Sequence, residues 1–266
     1  MLAPVSFDIF VSDGFVLTEL AGVVDVLRLA NRISAKPIFQ WHYKSVVGGP
    51  IASSSAASVD TTPMTSRPDA EYLVALGNSN ADAATLSMRA SIAAYTSRQA
   101  CVILLSEAAS RYIAETGEDP ARHTTHWENR TVLLEQHGLF DTKSALAVDT
   151  GPVITCAGMG ATVDLTLTIA SRHVSSAVMM TVADVLLHER IRHHSTLQPF
   201  SGNSVPATGD ATLDSAIALM QANIEFPLPI SQIADETRLS KRSLERKFNR
   251  MLGTTPNGYN RELRMN

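Results

Sequence analysis

The 266-residue sequence predicts an α/β fold, a mostly parallel sheet sandwiched by helices, followed by a small all-α unit. Three observations support this prediction. Short apolar runs alternate with helical patterns up to about residue 196, as they do when helices connect parallel strands. A stretch of Gly, Pro, Ser and Asn without apolar periodicity then follows at 197–209. Beyond it, only helical periodicity remains.

The first part is expected to contain buried strands separated by helices. The strands are predicted at FDIFV near Phe7, HYKSVV near Tyr43, YLVAL near Tyr72 and CVILL near Cys101. Helices are predicted over 19–33, 164–170 and 177–191, because apolar residues recur on one face of each segment. Parallel sheets of this kind bind ligands outside the carboxyl ends of their strands.

The last part is expected to consist of helices only. One is predicted from Leu213 to Ile224, a short one over about 231–237, and a third over KRSLERKFNRML with Ser240 as its N-cap. In the third helix, one face carries Leu244, Phe248, Met251 and Leu252, and the opposite face carries Arg242, Glu245, Arg246 and Asn249. We therefore expect a first domain at 1–196, a linker at 197–209 and a second domain at 210–266.

Composition places the chain among globular proteins. Hydrophobic residues make up 45% and charged residues 18%, and no run of about 18 apolar residues occurs, which argues against a disordered chain and against a membrane partner. The start of the chain lacks the pattern of a secretory signal. With only two cysteines, no disulfide framework is indicated, so the cytoplasm is the expected location.

Charge is distributed unevenly along the chain. The net charge is −4, yet the segment from Arg238 to Asn266 has eight basic and two acidic residues, which gives +6 there and −10 elsewhere. A basic end on an acidic body is typical of a protein that meets a polyanion with that end alone. The alternative is a solvated charged helix without such a partner.

Two short helices joined by a tight turn, the second with a basic outer face, indicate a helix-turn-helix, whose second helix enters the major groove of DNA. Arg242, Glu245 and Arg246 are the expected base readers, because Arg pairs with guanine and Glu accepts from cytosine. Phosphate contacts are expected from Lys241, Lys247 and Arg250. The alternative is a small helical bundle whose charges only keep it in solution.

The segment PLPISQIADETRLSKRSLERKFNRMLGTTPNGYNRELRMN resembles the first helix-turn-helix of AraC-type transcription regulators. The resemblance rests on I-x-x-I-A, L-S-x-R-x-L-x-R-x-F and the G-T-T-P turn. Arg238 stands in the turn, where the family often has Gly. Because AraC-type domains have two such motifs, we expect that the chain ends at Asn266 before the second one.

The first part is similar to ThiJ/PfpI-like domains, of the amidotransferase-like and flavodoxin-like fold, that are fused to AraC-type regulators. The similarity rests on ELAGVVDVLRLAN from Glu19, WHYKSVVGGPIASSSA, T-T-H-W ending at Trp127, T-C-A-G from Thr155, and VADVLLHERIR. It is greatest to the subgroup that controls catabolism of arginine, choline, glycine betaine and carnitine. The resemblance implies a homodimer whose first domain senses a small nitrogenous metabolite, an amino acid or quaternary amine.

Enzymes of this fold place a nucleophilic Cys at a sharp turn after a strand. Here Ser106 or Glu107 takes that position, and Cys101 and Cys156 fit better as small buried residues. His126 is the one candidate base for Ser106, and it is distant in sequence. We therefore expect no catalytic residues and no cofactor. We also expect no metal site, because His123 and His126 lack further ligands at suitable spacing.

What remains is a predicted ligand pocket formed by Glu19, Gly77, Ser106, Glu107, His126 and Trp127. The resemblance places Glu19 at the carboxylate position of the fold and Gly77 in the turn after YLVAL. Two carboxylates suit a cationic ligand, and Trp127 would add cation–π attraction. The alternatives are that Trp127 belongs to the core and that Glu19 is only a favourable helix N-terminal residue.

Three functional hypotheses follow. The first is a transcription regulator that binds promoter DNA and responds to a small-molecule effector. The second is a ThiJ/PfpI-type hydrolase or lyase with an added interaction module, with Ser106 as its nucleophile. The third is a product that does not bind DNA and sequesters full-length partners.

Overall fold

A computed structural model of the protein describes residues 3–80, 83–130, 133, 145–198, 208, 210–223 and 227–263. The chain divides into two compact units, Met1–Gln198 and Pro199–Asn266. Of the expected linker, only residues 197, 198 and 208 lie among those described, and Ile224, the expected end of a helix, lies outside them.

Within the described residues, the first unit has one eight-stranded sheet. Its strands are β1 (Val5–Phe10), β2 (Phe39–Ser45), β3 (Gly49–Ala52), β4 (Ser58–Pro63), β5 (Tyr72–Ala75), β6 (Cys101–Leu105), β7 (Ala147–Asp149) and β8 (Val153–Cys156). They lie in the order β3-β4-β2-β1-β5-β6-β8-β7. The pairs β3–β4 and β7–β8, at the two ends, are antiparallel, and the other pairs are parallel. The predicted, mostly parallel sheet is confirmed.

Helices cover both faces of this sheet. They are α1 (Leu17–Ser34), α2 (Met88–Thr96), α3 (Ser106–Thr116), α4 (Ala161–Ala170) and α5 (Ser176–Val185). One core lies between the sheet and α1, α4 and α5, with Ile9 and Val26 among its fully buried residues. A second core lies on the other face, where Leu73 meets Tyr95 of α2 and Ile113 of α3. Alternate residues of the strands point into the two cores, which explains their continuous apolar runs.

Helix α5 is shorter than predicted. It ends at Val185 instead of Ile191, and Leu187 adopts a left-handed conformation with φ of +54° just after it. The residues after the helix are instead bound to α4. There the buried Asp164 accepts hydrogen bonds from the amide of Arg192 at 2.6 Å and from Arg192 Nη2 at 2.6 Å. His188 lies 2.8 Å from the same carboxylate. These polar contacts outweigh the apolar periodicity that predicted a longer helix.

The second unit is helical, with α6 (Ala211–Ala222), α7 (Ile230–Glu236), α8 (Lys241–Leu252) and α9 (Pro256–Leu263). Its core is formed by Leu213, Ala216, Ile217, Met220, Ile233, Ala234, Leu244 and Phe248. The predicted cap of α8 is confirmed, since the Ser240 hydroxyl accepts from the amide of Ser243 at 3.2 Å. Met251 was expected on the packed face, but its side chain is 40% exposed. Among the described helices, none is long and apolar enough to cross a bilayer.

Candidate functional site

Ser106 is placed at a sharp turn between β6 and α3. It is the first residue of the helix, it is 5% exposed, and its φ is +39°, which is unfavourable for a residue with a β-carbon. Such a conformation persists only where the surrounding structure holds it. The structure thus assigns the turn position to Ser106, one of the two residues that the sequence left open.

Glu19 holds the backbone around this turn. Its Oε2 accepts a hydrogen bond from the amide of Gly77 at 2.9 Å, and its Oε1 accepts one from the amide of Met159 at 3.2 Å. The Ser106 side chain is a further hydrogen-bond partner. One carboxyl group therefore connects the start of α1, the turn after β5, the turn after β8 and the turn after β6.

This arrangement differs from the ligand contact expected of Glu19. The residue is 0% exposed, and burial raises its pKa, although its hydrogen bonds act in the opposite direction. A carboxyl group that is sealed from solvent in this way has no accessible surface with which to contact a cation. Glu19 is consequently a positioning residue for the turn in this structure, and the cationic-ligand role predicted for it is not supported by its geometry.

Two glycines make the close packing possible. A β-carbon at Gly77 would overlap Ser106 Oγ, and one at Gly158 would lie 2.8 Å from Ser106 Cβ. Gly158 also has φ of +76°, which favours glycine. Gly77 is therefore brought to the turn, as predicted, through its backbone.

Glu107 lies at the edge of the same turn and is partly exposed. Burial raises its pKa, while the nearby Arg111 guanidinium and the amide of Asn78 lower it. Arg111 Nε lies 3.7 Å from Glu107 Oε1. The carboxylate of Glu107 is thus accessible but already has a cationic neighbour.

The predicted residues His126 and Trp127 belong to the segment that follows a short 3₁₀ helix, Pro120–Arg122. Thr125 connects this segment to the turn at Ser106. The Thr125 hydroxyl donates to the carbonyl of Ser106 at 2.6 Å. His126 and Trp127 are partly exposed, with ring centroids 5.4 Å apart. His126 Nδ1 lies 3.4 Å from Glu128 Oε2, and among the described residues no hydrogen bond joins the His126 ring to Ser106. The structure therefore brings Glu19, Gly77, Ser106 and Glu107 together, and Thr125 connects the segment of His126 and Trp127 to the same turn.

Sequence reasoning missed three polar residues at this site: Thr124, Thr125 and Gln198. The T-T-H-W motif contains the two threonines, so the motif was a usable signal for them. Gln198 lies in the stretch assigned to a linker by composition, which gave no indication that its side chain is buried.

The two cysteines are thiols with raised pKa values. Burial raises the pKa of Cys101 to about 11 and that of Cys156 to about 12, so both thiols are protonated at neutral pH. No group of three potential metal ligands is found among the described residues.

At the other end of the chain, α7, a short turn and α8 form a helix-turn-helix. Five of the six residues predicted to contact DNA are exposed on α8: Lys241, Arg242, Glu245, Arg246 and Arg250. Arg238 in the turn has φ of +56°, so the left-handed conformation is kept although the residue is not Gly. Leu244 and Phe248 are fully buried on the opposite side and fix α8 to the unit.

Lys247 has a different environment from the one predicted. It is partly buried, and its ammonium forms an ion pair with Asp210, the N-cap of α6. The same ammonium is the main cause that holds the pKa of Asp210 well below its usual value. Lys247 is therefore engaged within the unit in this structure. The sequence did not indicate this contact, because Asp210 lies 37 residues away.

Comparison with curated proteins relates the chain to regulators of transcription. It is 24% identical over 264 residues to "HTH-type transcriptional regulator GbdR" of Pseudomonas aeruginosa, which covers 98% of this chain and 72% of that protein. Further relatives, from Pseudomonas aeruginosa and Rhizobium meliloti, have the same description as HTH-type transcriptional regulators. No protein-family model matches the chain.

Solved structures share the fold of the first unit. An AraC family transcriptional regulator from Pseudomonas putida aligns with a TM-score of 0.59 at 18% identity, over 69% of this chain and 100% of that one. A ThiJ/PfpI family protein from Pseudomonas syringae aligns with a TM-score of 0.54 at 16% identity, over 89% of this chain and 91% of that one.

Proposed function

We propose that this chain is a sequence-specific DNA-binding transcription regulator that responds to a small nitrogenous metabolite. The observation that carries the proposal is the helix-turn-helix in which α8 exposes Arg242, Glu245 and Arg246 on one face while Leu244 and Phe248 are buried on the other. This geometry leaves the side chains that can read base edges free to enter a major groove. The relatives, all described as HTH-type transcriptional regulators, support the same function.

The effector site is proposed at the turn formed by Ser106. Glu107 offers a partly exposed carboxylate, and His126 and Trp127, which follow Thr125 in the segment hydrogen-bonded to Ser106, offer partly exposed rings. A site that combines a carboxylate with an indole suits a cationic amine, because the indole face attracts cations. Gly77 and Glu19 do not contact the ligand in this proposal. They hold the backbone of the turn in place, because the amide of Gly77 donates a hydrogen bond to Glu19 Oε2.

Catalysis is not part of the proposal. Ser106 has the strained turn of a nucleophile, but its neighbour Glu19 is buried, and the carboxyl oxygens of Glu19 already accept hydrogen bonds from the amides of Gly77 and Met159. The competing function, a hydrolase or lyase with Ser106 as nucleophile, draws on the left-handed conformation of that residue. Any hydrolytic activity of the chain that survives Ser106→Ala unchanged would eliminate that alternative.

Two further features belong to the proposal. The first unit is proposed to dimerise with that of a second copy of the chain. Each copy then places its helix-turn-helix unit on one of two half-sites on the DNA. A regulator of promoters acts where the bacterial chromosome is, in the cytoplasm.

Two measurements on the full chain test the proposal. The first is selection of duplexes from a random pool, which is expected to enrich one motif with wild type but not with Arg242→Ala. The second is thermal unfolding with arginine, glycine betaine, carnitine, choline and uncharged amino acids. A ligand at 100 times its Kd stabilises the fold by about 2.7 kcal/mol.

A selective shift with one cationic compound, lost in Trp127→Ala or Glu107→Gln, would support the effector site. Failure to enrich any motif would overturn DNA recognition, and the absence of any shift would overturn the cationic effector.

A further inference from the structure

Gln198, the last residue of the first unit, has a buried side chain that holds the segment carrying Trp127. It is 3% exposed. Its Oε1 accepts a hydrogen bond from the amide of Trp127 at 2.9 Å. Its Nε2 donates to the carbonyl of Thr125 at 2.8 Å, to that of Ala145 at 3.2 Å and to the hydroxyl of Thr124 at 3.3 Å.

These contacts determine the chemistry required at position 198. The nitrogen faces three oxygen atoms, and the oxygen faces an N–H group, so only a side chain with one donor end and one acceptor end satisfies the site. A buried polar group that loses its partners is strongly unfavourable. Glutamine is therefore specified here by its hydrogen bonds, although the surrounding composition is that of a linker.

The same segment of chain is connected to the Ser106 turn on its other side. Thr125 Oγ1 donates to the Ser106 carbonyl at 2.6 Å, and the Thr124 amide donates to Thr155 Oγ1 at 3.0 Å. Residues 124–127 are thus hydrogen-bonded through Thr125 to the turn of the proposed effector site, through Thr124 to β8, and through three of their residues to Gln198. Two hydrogen bonds, through Thr125, separate Ser106 from Gln198.

The chain around Gln198 is fixed on its N-terminal side. Residues 194–197 run beside 145–147, with the amide of Leu146 donating to the carbonyl of Thr196 at 2.8 Å and an antiparallel bridge between Ala145 and Leu197. Immediately after Gln198 comes Pro199, the first residue of the second unit. Gln198 is therefore held within the first unit and is directly followed in the sequence by the first residue of the second unit.

We infer that Gln198 is a positioning residue that couples the segment 124–127 at the effector site to the chain leading into the second unit. The inference rests on the proposed function, because it explains how a ligand bound near Ser106 would affect the chain that leads into the second unit. A ligand that moves Trp127 or Thr125 changes the hydrogen bonds of Gln198, and with them the hold on the start of the connecting chain. Coupling of this kind is reciprocal, so a change at Gln198 must also loosen residues 124–127.

Amide hydrogen exchange of the full chain, followed by mass spectrometry of peptides, tests this coupling in both directions. Gln198→Ala is expected to speed exchange in the peptide containing residues 124–127 by about tenfold, since the Trp127 amide loses its acceptor. Thr125→Val, which removes the hydroxyl contact with Ser106, is expected to speed exchange in residues 194–198. Peptides from β1 are expected to remain unchanged in both variants.

Two matched controls separate this role from general support of the fold. Ser195→Ala alters the same stretch of chain at an exposed residue and should leave residues 124–127 protected. Gln198→Glu keeps the size of the side chain but sets an oxygen against the carbonyl oxygens of Thr125 and Ala145, so it should act like Gln198→Ala.

The inference is overturned if residues 124–127 keep wild-type exchange in Gln198→Ala and Gln198→Glu, or if Ser195→Ala has the same effect. If Gln198→Ala loses protection in β1 as well, Thr125→Val decides, and unchanged exchange at 194–198 overturns the inference. The experiment uses neither DNA nor an effector. Its failure is therefore distinct from failure of the proposed function.

Discussion

Ser106 Oγ occupies the space in which residue 77 would have a β-carbon, so the two turns that follow β5 and β6 touch through the bare backbone of Gly77. This contact sets the shape of the candidate site, because the amide of Gly77 also donates to Glu19 Oε2 at 2.9 Å. A side chain at position 77 must therefore displace either the Ser106 hydroxyl or the strained turn that presents it.

Gly77→Ala is expected to lower the free energy of unfolding by about 1–3 kcal/mol, the usual effect of overpacking. In a Ser106→Gly background, the loss is expected to be smaller by about 1 kcal/mol, since the overlapping atom is gone. Urea unfolding of the single and double variants measures both values. Gly160→Ala is the control, because the nearest atom to a β-carbon there lies 3.8 Å away. Equal losses in both backgrounds would show that the two residues are not coupled.

The pKa of Glu19 predicts a pH dependence of stability. Burial raises this pKa in the folded state, so the folded protein holds the proton more tightly than the unfolded chain does. The contribution is fully present below the unfolded pKa and is lost as pH rises through the folded pKa. We expect the stability advantage of wild type over Glu19→Gln to shrink as pH rises from 4 to 8. Parallel stability curves for the two proteins would contradict this prediction.

Arg238 provides a test of the turn in the helix-turn-helix. Its φ of +56° is unfavourable for a residue with a β-carbon, so Arg238→Gly is expected to stabilise the second unit by about 0.5–1 kcal/mol. Gln232→Gly, at an exposed position within α7, should instead destabilise it by about 1 kcal/mol. Thermal unfolding of the two variants gives the comparison. A loss of stability in Arg238→Gly would argue against the left-handed turn.

Lys247 and Arg246 are neighbours with different expected roles. Lys247→Ala leaves Asp210 without its cation, so it is expected to lower the unfolding midpoint. Arg246→Ala, at an exposed position, should leave the midpoint unchanged and weaken DNA binding. Because the pKa of Asp210 is depressed, the effect of Lys247→Ala on stability should disappear as pH falls through that depressed pKa. An unchanged midpoint in Lys247→Ala at neutral pH would contradict the role of the ion pair.

Much of this structure could be predicted from local pattern. Apolar runs such as CVILL indicated strands because a parallel sheet with two covered faces buries every residue of a strand. The faces of α8 followed from helical periodicity, and the Ser240 cap followed from residue type. Resemblance to known domains indicated the turn, and geometry then assigned it to Ser106.

The rest depended on contacts between residues far apart in sequence. Gln198 meets Thr124, 74 residues away, and Lys247 meets Asp210, 37 residues away. Asp164 likewise ends the helical pattern of α5 by binding Arg192, 28 residues on. Polar side chains of this kind have no periodicity, so a single sequence does not show which of them are buried and paired.

Salt-dependent binding of the full chain to duplex DNA tests the central claim most directly. The affinity of wild type for the selected duplex is expected to fall linearly on logarithmic axes, with a slope of about −0.9 for each phosphate contact. Arg246→Ala is expected to reduce the preference over a scrambled duplex, and Arg250→Ala to make the slope less steep by about 1. Absence of saturable binding at low salt, or an unchanged slope and preference in both variants, would contradict the account of this chain as a DNA-binding regulator.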